Sequence, residues 1–264
     1  MAFGPDNRFP GAGSAWTAPL GRTAGVDAAV LDEGLRAYML RVYNWMASGL
    51  LLTGIVAFLL VNTGMYELFF QQVRTPRGMA AAPTILGYVA MFAPLAFILV
   101  LSFGINRLST AAAQALFWAF CAVMGASLTS ILLTFTGASI ATTFFITAGT
   151  FAAMSLIGYT TQRDLTKMGS FLIMGLIGII LASVVNMFIG SSALQFAISV
   201  LGVLIFVGLI AYDTQRIKTD YIEHTYAEGT ELAGKRSVMD ALALYLNFIN
   251  LFQFLISLIG QRQQ

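Results

Sequence analysis

An aspartate at the end of a long apolar run is the first residue in this chain that can do chemistry. Asp213 directly follows 19 uncharged residues, from 194 to 212. A carboxylate in such a position can gate or bind a cation if it faces the interior of a helix bundle. The position fits an interfacial aspartate equally well, wetted by lipid headgroups and paired with Arg107 or Arg216. Both interpretations put Asp213 near one end of a membrane helix.

A polar stripe marks the last apolar run of the chain. Its members recur at spacings of 7, 3, 3 and 4, which places them on one helix face: Asp240, Asn247, Asn250, Gln253 and Ser257. Lipid would penalise such a stripe, so it must face protein or water. A central helix held by side-chain hydrogen bonds of about 1 kcal/mol each would produce the same stripe. We therefore take Asp213, Asn247, Arg107, Asn250 and Asp240 as the candidate gate or ion pathway, with Asp213 alone as a weak metal ligand.

The composition indicates that these residues sit in membrane helices. Hydrophobic residues make up 58% of the 264 residues, charged residues only 10%, and the mean hydropathy is +0.81. A soluble domain usually carries about 25% charged residues, so lipid must face much of this surface. The net charge of +2 and the lack of a basic cluster argue against nucleic acid as a partner. No cofactor is indicated.

Seven charge-free runs approach the roughly 20 residues that cross a bilayer. They are Val42–Val61, Pro83–Phe103, Ala111–Phe135, Ser139–Tyr159, Met168–Ile189, Leu194–Tyr212 and Ala241–Ile259. The sequence thus predicts an all-α membrane protein, a bundle of seven transmembrane helices over residues 37–264. Residues 1–36, rich in Gly, Ala and Pro, are predicted to form a flexible cytoplasmic tail. The last run would also suit a re-entrant segment.

The distribution of Lys and Arg predicts the orientation of the bundle. With the N-terminus inside, eleven of the fourteen basic residues lie on the inner side and three on the outer side. The three are Arg74, Arg77 and Arg262. An excess of basic residues marks the cytoplasmic side. We expect the N-terminus inside and the C-terminus outside, with Asp213 and Asp240 at the inner end.

An internal repeat relates two pairs of predicted helices. A shift of 53 residues superposes the third and fourth runs on the fifth and sixth without a gap. The match is clearest at the end, where Leu-Ile-Gly-Tyr-Thr-Thr-Gln-Arg meets Leu-Ile-Ala-Tyr-Asp-Thr-Gln-Arg. Transporters and channels often contain such repeats. The repeat breaks at one informative position, because Thr160 in the first copy corresponds to Asp213 in the second.

Three segments resemble a known membrane family. They are Gly208–Lys218, Ala241–Phe252 and Ser155–Phe171, the last containing Gly-Tyr-Thr-Thr-Gln-Arg-Asp-Leu. Together they resemble the Bax inhibitor-1 family, also called TMBIM or lifeguard-like, in its bacterial branch. The resemblance covers roughly residues 36–260. It implies a seven-helix bundle with the last helix at its centre, in the inner membrane of a bacterium.

The resemblance also implies an activity and a site. In the family, a pH-sensitive calcium leak is closed by two buried aspartates, on helices six and seven, and by an arginine from helix two. The helix-six aspartate corresponds to Asp213 and the arginine to Arg107, but the helix-seven aspartate is replaced here by Asn247. Two close carboxylates share a proton, whereas an amide cannot titrate. We therefore expect any leak through this chain to depend less on pH than in relatives with both acids.

Two functions of different classes follow from these observations. The first is a calcium-permeable leak gated near the cytoplasmic face, with calcium as the permeant ion. The second is a non-conducting modulator of a membrane-bound ATP-dependent protease, or of another stress or quality-control partner. We do not expect an enzyme, since the sequence has no Gly-x-Gly-Asp, His-Glu-x-x-His or Gly-x-Ser-x-Gly motif. The oligomeric state is not predicted.

Overall fold

The apolar runs of the sequence fold into a bundle of helices. The computed structural model describes residues 20–75, 78–104, 108–225 and 230–263. Within those ranges the α-helices are α1 (Leu20–Asn62), α2 (Ile85–Gly104), α3 (Thr110–Thr134), α4 (Gly137–Thr160), α5 (Thr166–Ile189), α6 (Ser192–Asp220) and α7 (Thr230–Ile259). In the same ranges six of them, all except α2, are long and apolar enough to cross a membrane. An all-α membrane protein is thereby confirmed.

Short polar side chains set where the helices of the repeat begin. The hydroxyls of Ser109, Thr136 and Ser191 accept hydrogen bonds from backbone N–H groups at 3.2, 3.3 and 3.3 Å, in the first turns of α3, α4 and α6. Such caps satisfy amide groups that a helix start leaves without a partner. Gly190 caps the C-terminal end of helix α5, and its φ of 67° lies in the left-handed region. The α3–α4 and α5–α6 connections are both tight turns, at Phe135–Thr136 and Gly190–Ser191.

Helices α1, α6 and α7 extend beyond the predicted spans. Helix α1 begins at Leu20, so residues 20–36 of the predicted tail are helical, while residues 1–19 lie outside the described ranges. Helix α6 continues from the predicted span end at Tyr212 to Asp220, a π-helical turn spans Tyr221–Thr225, and α7 begins at Thr230, before the predicted start at Ala241. Residues Ile210, Ile217 and Tyr221 are buried at helical spacing. This stretch is therefore a continuing amphipathic helix, in which Asp213 is buried, Lys218 is partly buried and Glu223 is exposed.

A β-hairpin connects α1 to α2, between the first two predicted spans. Strands β1 (Phe70–Thr75) and β2 (Gly78–Pro83) pair antiparallel, from Phe70 opposite Pro83 to Thr75 opposite Gly78. A 3-10 turn at Met65–Leu68 precedes them. The strands are too short and too rich in Ala and Gln to show a clear alternation of apolar and polar residues.

Helix α7 is the centre of the bundle, as the resemblance implied. It packs against α1, α3, α4 and α6. Its residues Ala241, Leu244, Tyr245 and Leu251 have no exposed surface. The Tyr245 hydroxyl lies 2.7 Å from Oγ1 of Thr53 in α1. The Thr53 hydroxyl donates to the backbone oxygen of Cys121 in α3 at 2.9 Å. This hydrogen-bonded junction holds three helices together deep in the apolar core.

The two repeats meet at equivalent positions. Gly158 of α4 and Ala211 of α6 are 53 residues apart, the offset of the repeat. A Cβ on Gly158 would overlap the backbone oxygen of Ala211, so the two backbones are in direct contact there. Small residues allow membrane helices to approach this closely. The contact places α4 against α6 just before Asp213.

The C-terminal residues bind the turn between α3 and α4. The backbone N–H of Thr136 donates to the oxygen of Gln261, and that of Gln263 to Thr134, both at 2.9 Å. The side-chain amide of Gln263 also donates to Phe135 at 2.8 Å. We call this contact the C-terminal clasp. It puts the end of α7 beside the α3–α4 turn, the two sites that the predicted topology assigns to one side of the membrane.

Candidate functional site

Asp213 forms a buried charge between α6 and α7. The side-chain amide of Asn247 donates a hydrogen bond to its Oδ2 at 2.7 Å. On the other carboxylate oxygen, Oδ1, Nη2 of Arg216 makes an ion pair at 3.1 Å. Asp213 and Asn247 are both buried, so neither lies on a lipid-facing surface. Two of the candidate gate residues, Asp213 and Asn247, are therefore in direct contact. We call these three residues the Asp213 latch.

The geometry of α6 selects Arg216 as the cation of the latch. Arg216 is three residues after Asp213, and side chains at this spacing lie on the same helix face. Its Nε is buried and has no hydrogen-bond acceptor among the described residues. From the sequence, Arg216 was considered only as the partner of Asp213 in its interpretation as an interfacial aspartate. Arg107, the cation expected from the second helix, lies outside the described residues.

Asp240 forms a second carboxylate site near the first. The hydroxyl of Tyr38 in α1 donates to Oδ2 of Asp240 in α7 at 2.6 Å. Arg216 and Arg236 attract this carboxylate, whereas Asp220 repels it. Arg216 therefore acts electrostatically on both acids, Asp213 and Asp240. Tyr38 has no distinguishing feature in the sequence, where it is one more aromatic residue in an amphipathic helix.

We predict that Tyr38→Phe destabilises the fold by weakening the α1–α7 contact. The variant loses a hydrogen bond to a carboxylate, worth about 1.5–3 kcal/mol. The temperature of unfolding in detergent should fall accordingly. The control is Tyr88→Phe, on a half-exposed ring of α2. Equal unfolding temperatures for the two variants would contradict the prediction.

A chain of hydroxyl groups links three helices beside the latch. The Tyr43 hydroxyl in α1 lies 2.6 Å from Oγ of Ser155 in α4, which lies 3.0 Å from Oγ1 of Thr214 in α6. Thr214 in turn donates to the backbone oxygen of Ile210 at 2.8 Å. Thr214 directly follows Asp213, so the chain ends next to the buried charge. We call it the hydroxyl chain.

The last turns of α6 also bind the connection between α4 and α5. The side chain of Gln215 accepts a hydrogen bond from the N–H of Leu165 and donates to the oxygen of Arg163, both at 2.8 Å. Nζ of Lys218 donates to the oxygen of Tyr159 at 2.9 Å. In the same turn, hydrogen bonds from the Thr166 hydroxyl and amide lower the pKa of Asp164. The end of α6 near Asp213 is therefore bound both by α7, through the latch, and by the connection between α4 and α5.

The remaining stripe residues have different partners. The amide of Asn250 donates to the oxygen of Leu246 in its own helix at 2.8 Å, so it does not join the latch. Ser257 accepts a hydrogen bond from Ser199 of α6 at 3.2 Å. The stripe was predicted to face protein or water, and it faces protein at Asn247 and Ser257. The stripe thus supplies one residue, Asn247, to the site around Asp213.

The latch offers few ligands to a metal ion. In the part of the chain that the structure describes, no three side chains of His, Cys, Asp or Glu come together as a metal site would require. Asn247 points its N–H₂ group at Asp213, so its oxygen faces away from that carboxylate. Calcium prefers six to eight oxygen ligands. As arranged here, Asp213 can attract a passing cation but cannot hold it tightly.

Comparison with known proteins identifies the family. Residues 35–264 match the family model described as inhibitor of apoptosis-promoting Bax1. The chain belongs to the Bax inhibitor-1 family. Similar proteins include an uncharacterised protein of Rickettsia prowazekii, 48% identical over 88% of this chain and 92% of the relative. The inner membrane protein YbhL of Escherichia coli K12 is 46% identical over 87% of this chain and 94% of the relative.

Membership of the Bax inhibitor-1 family agrees with the location expected from the sequence. A protein of Caulobacter vibrioides is 46% identical over 89% of this chain and 92% of that relative. The family match over residues 35–264 includes the Asp213 latch and the helices around it. Together with six helices able to cross a membrane, the relationship to YbhL makes this Bax inhibitor-1 protein a multi-pass protein of the inner membrane.

Proposed function

We propose that this protein is a calcium-permeable leak whose gate is the Asp213 latch. The observation that carries the proposal is a buried carboxylate bound at 2.7 Å by the neighbouring central helix. Burial of a charge between two membrane helices is costly, and such residues commonly lie on ion pathways. The proposal includes no catalytic step and no resident cofactor. Calcium is the permeant ion.

The proposed topology has seven spans, with the N-terminus inside and the C-terminus outside. Helix α2 supports the seventh span, because its 20 residues rise about 30 Å, the thickness of the hydrocarbon core. The eleven basic residues on the inner side support the orientation. Under this topology the latch and the α4–α5 turn face the cytoplasm, and the C-terminal clasp faces outward.

The latch would control passage by holding α6 against α7. While Asn247 and Arg216 each contact one oxygen of Asp213, an entering cation must compete with both of them for the carboxylate. A cation that reaches it must displace Arg216, and one carboxylate binds calcium only weakly, so the ion can leave again. Because Asn247 does not titrate, we expect flux to change little between about pH 6 and 8.

The test is calcium flux into proteoliposomes that contain the purified protein. Asp213→Asn removes the charge that binds Arg216, so we expect resting flux to rise about ten-fold, the equivalent of one charge-assisted hydrogen bond. Asp164→Asn, in the exposed α4–α5 turn, is the matched control and should leave flux unchanged. Loss of flux in Asp213→Asn would make this residue a cation-binding site, not a latch. Equal flux in both variants and in empty liposomes would refute the leak.

A second function is favoured by the length of α1. Its 43 residues extend about 65 Å, far more than the roughly 30 Å needed to cross the bilayer. The excess forms a helical arm on the proposed cytoplasmic side, which suits a non-conducting modulator of a membrane-bound ATP-dependent protease or another quality-control partner. Deletion of residues 1–29 should then abolish association with that partner, while Asp213→Asn should not. If the protein is a leak, Asp213→Asn should change calcium flux and deletion of residues 1–29 should not.

A further inference from the structure

An open groove runs between α1 and α4 at the end of the bundle that holds the Asp213 latch. Its volume is about 490 Å³. Residues on its walls include Arg36, Leu40 and Tyr43 of α1, and Ala152, Ser155 and Tyr159 of α4. The two α1–α4 hydroxyls, Tyr43 and Ser155, form part of the hydroxyl chain. The groove is therefore next to the latch and separate from it.

The groove changes from cationic to apolar along its length. Arg36 is exposed and stands about 9 Å along α1 before Val42, where the charge-free run begins. That distance corresponds to the headgroup layer on one side of the bilayer. Ala152 and Leu156 line the groove within the charge-free run of α4, at the level of the hydrocarbon. The order of these side chains matches the order of groups in a phospholipid, with phosphate outside and acyl chain inside.

A second cation lies against a residue that lines the groove. Nζ of Lys218 is 5.2 Å from the ring centre of Tyr159, which lines the groove. Asp32 and Glu33 are exposed about one turn before Arg36 but line no part of the groove. The mouth of the groove is therefore flanked by positive charge. Basic pockets between membrane helices on the cytoplasmic side are typical of sites for anionic headgroups.

The polar groups on the walls do not oppose an apolar occupant. Thr214 donates to a backbone oxygen, so the consistent direction of the hydroxyl chain has Ser155 donating to Thr214 and Tyr43 donating to Ser155. Every hydroxyl proton is then used within the protein. An acyl chain lying against these groups leaves no donor without a partner, which would otherwise be costly.

We propose that this groove binds one anionic glycerophospholipid from the leaflet at the Asp213 end, with its phosphate on Arg36 and an acyl chain between α1 and α4. The proposal uses the limits of the α1 span but does not require that the protein conducts. The lipid would contact the wall that carries the hydroxyl chain, one residue from Asp213. It would thus bind where it can bias the packing of α1, α4 and α6.

The experiment measures binding of phosphatidylglycerol and phosphatidylcholine with identical acyl chains to the purified full-length protein in detergent, by native mass spectrometry. We expect tighter binding of phosphatidylglycerol, and about a five-fold loss of this preference in Arg36→Gln, the effect of one basic residue near an anionic surface. Arg36→Lys should keep the preference. The matched control is Arg41→Gln, an exposed arginine of α1 that does not line the groove.

A second pair of variants tests the groove without changing charge. Ala152→Phe fills the apolar part of the groove and should reduce binding of both lipids, whereas Ala153→Phe, on the neighbouring exposed position of α4, should not. Size-exclusion chromatography establishes that the variants are folded. Equal affinity for the two lipids, equal effects of Arg36→Gln and Arg41→Gln, or unchanged binding in Ala152→Phe would each overturn the proposal.

Discussion

Asn247→Asp should make the protein less stable as the pH rises and should make calcium flux depend on pH. The new carboxyl group replaces an amide that donates to Asp213 at 2.7 Å. When protonated, at low pH, it can still donate a hydrogen bond to Asp213. When it loses this proton, two negative charges face each other in a buried site, and the stabilisation present at low pH is lost. The cost of one uncompensated buried charge is about 3–5 kcal/mol.

The temperature of unfolding, measured between pH 5 and 8, checks this expectation. It should fall steeply with pH in Asn247→Asp, and flux in proteoliposomes should rise over the same interval. Asn250→Asp is the matched control, because it adds the same charge on the same helix, where the amide bonds only to its own backbone. Parallel pH profiles for the two variants would show that the effect does not come from the latch.

Gly158→Ala should strongly destabilise the bundle. The added methyl group would meet the backbone oxygen of Ala211, and a backbone atom cannot rotate aside as a side chain can. Helix α4 must then move away from α6, which costs about 1–3 kcal/mol for overpacking alone. The displacement would also disturb the contact between Ser155 and Thr214. We expect a lower unfolding temperature and a smaller yield of monodisperse protein.

The matched control for this variant lies on the same helix. Gly149 of α4 has open space around the position of an added Cβ. Gly149→Ala should therefore keep or slightly raise stability, by up to about 1 kcal/mol, since alanine favours the helix more than glycine does. Similar unfolding temperatures for Gly158→Ala and Gly149→Ala would contradict the close approach of α4 and α6.

The parts of the fold that depend on the bilayer were predictable from the sequence. Charge-free runs located the helices because membrane thickness sets the length of an apolar helix. The hairpin turns were predictable because Thr136 and Gly190 end such runs with groups that suit helix ends. The charged ends of α6 and α7 were missed, since hydropathy alone cannot distinguish a loop from an amphipathic helix that leaves the membrane.

The candidate site was predictable only where one helix fixed its geometry. Helical spacing put Asn247 on the polar face of α7, and this face does meet Asp213. The partner of Asp240 was missed, because the contact with Tyr38 depends on how α1 is rotated against α7. Spacing within one helix carries no information about that rotation. The hydroxyl chain was missed for the same reason, since it crosses α1, α4 and α6.

The C-terminal clasp fixes one end of α7, so a tilt of this helix must turn about that end. Gln261 is bound to Thr136 at that end, and Asn247 lies about 21 Å away along the helix. A tilt of about 10° around the clasp moves Asn247 by about 4 Å, more than enough to break its 2.7 Å bond to Asp213. Such a tilt separates the helices as a wedge that narrows towards the clasp. In the proposed leak, loss of the latch would therefore widen the bundle most at the Asp213 end, while the clasp keeps the opposite end of α7 packed against the α3–α4 turn.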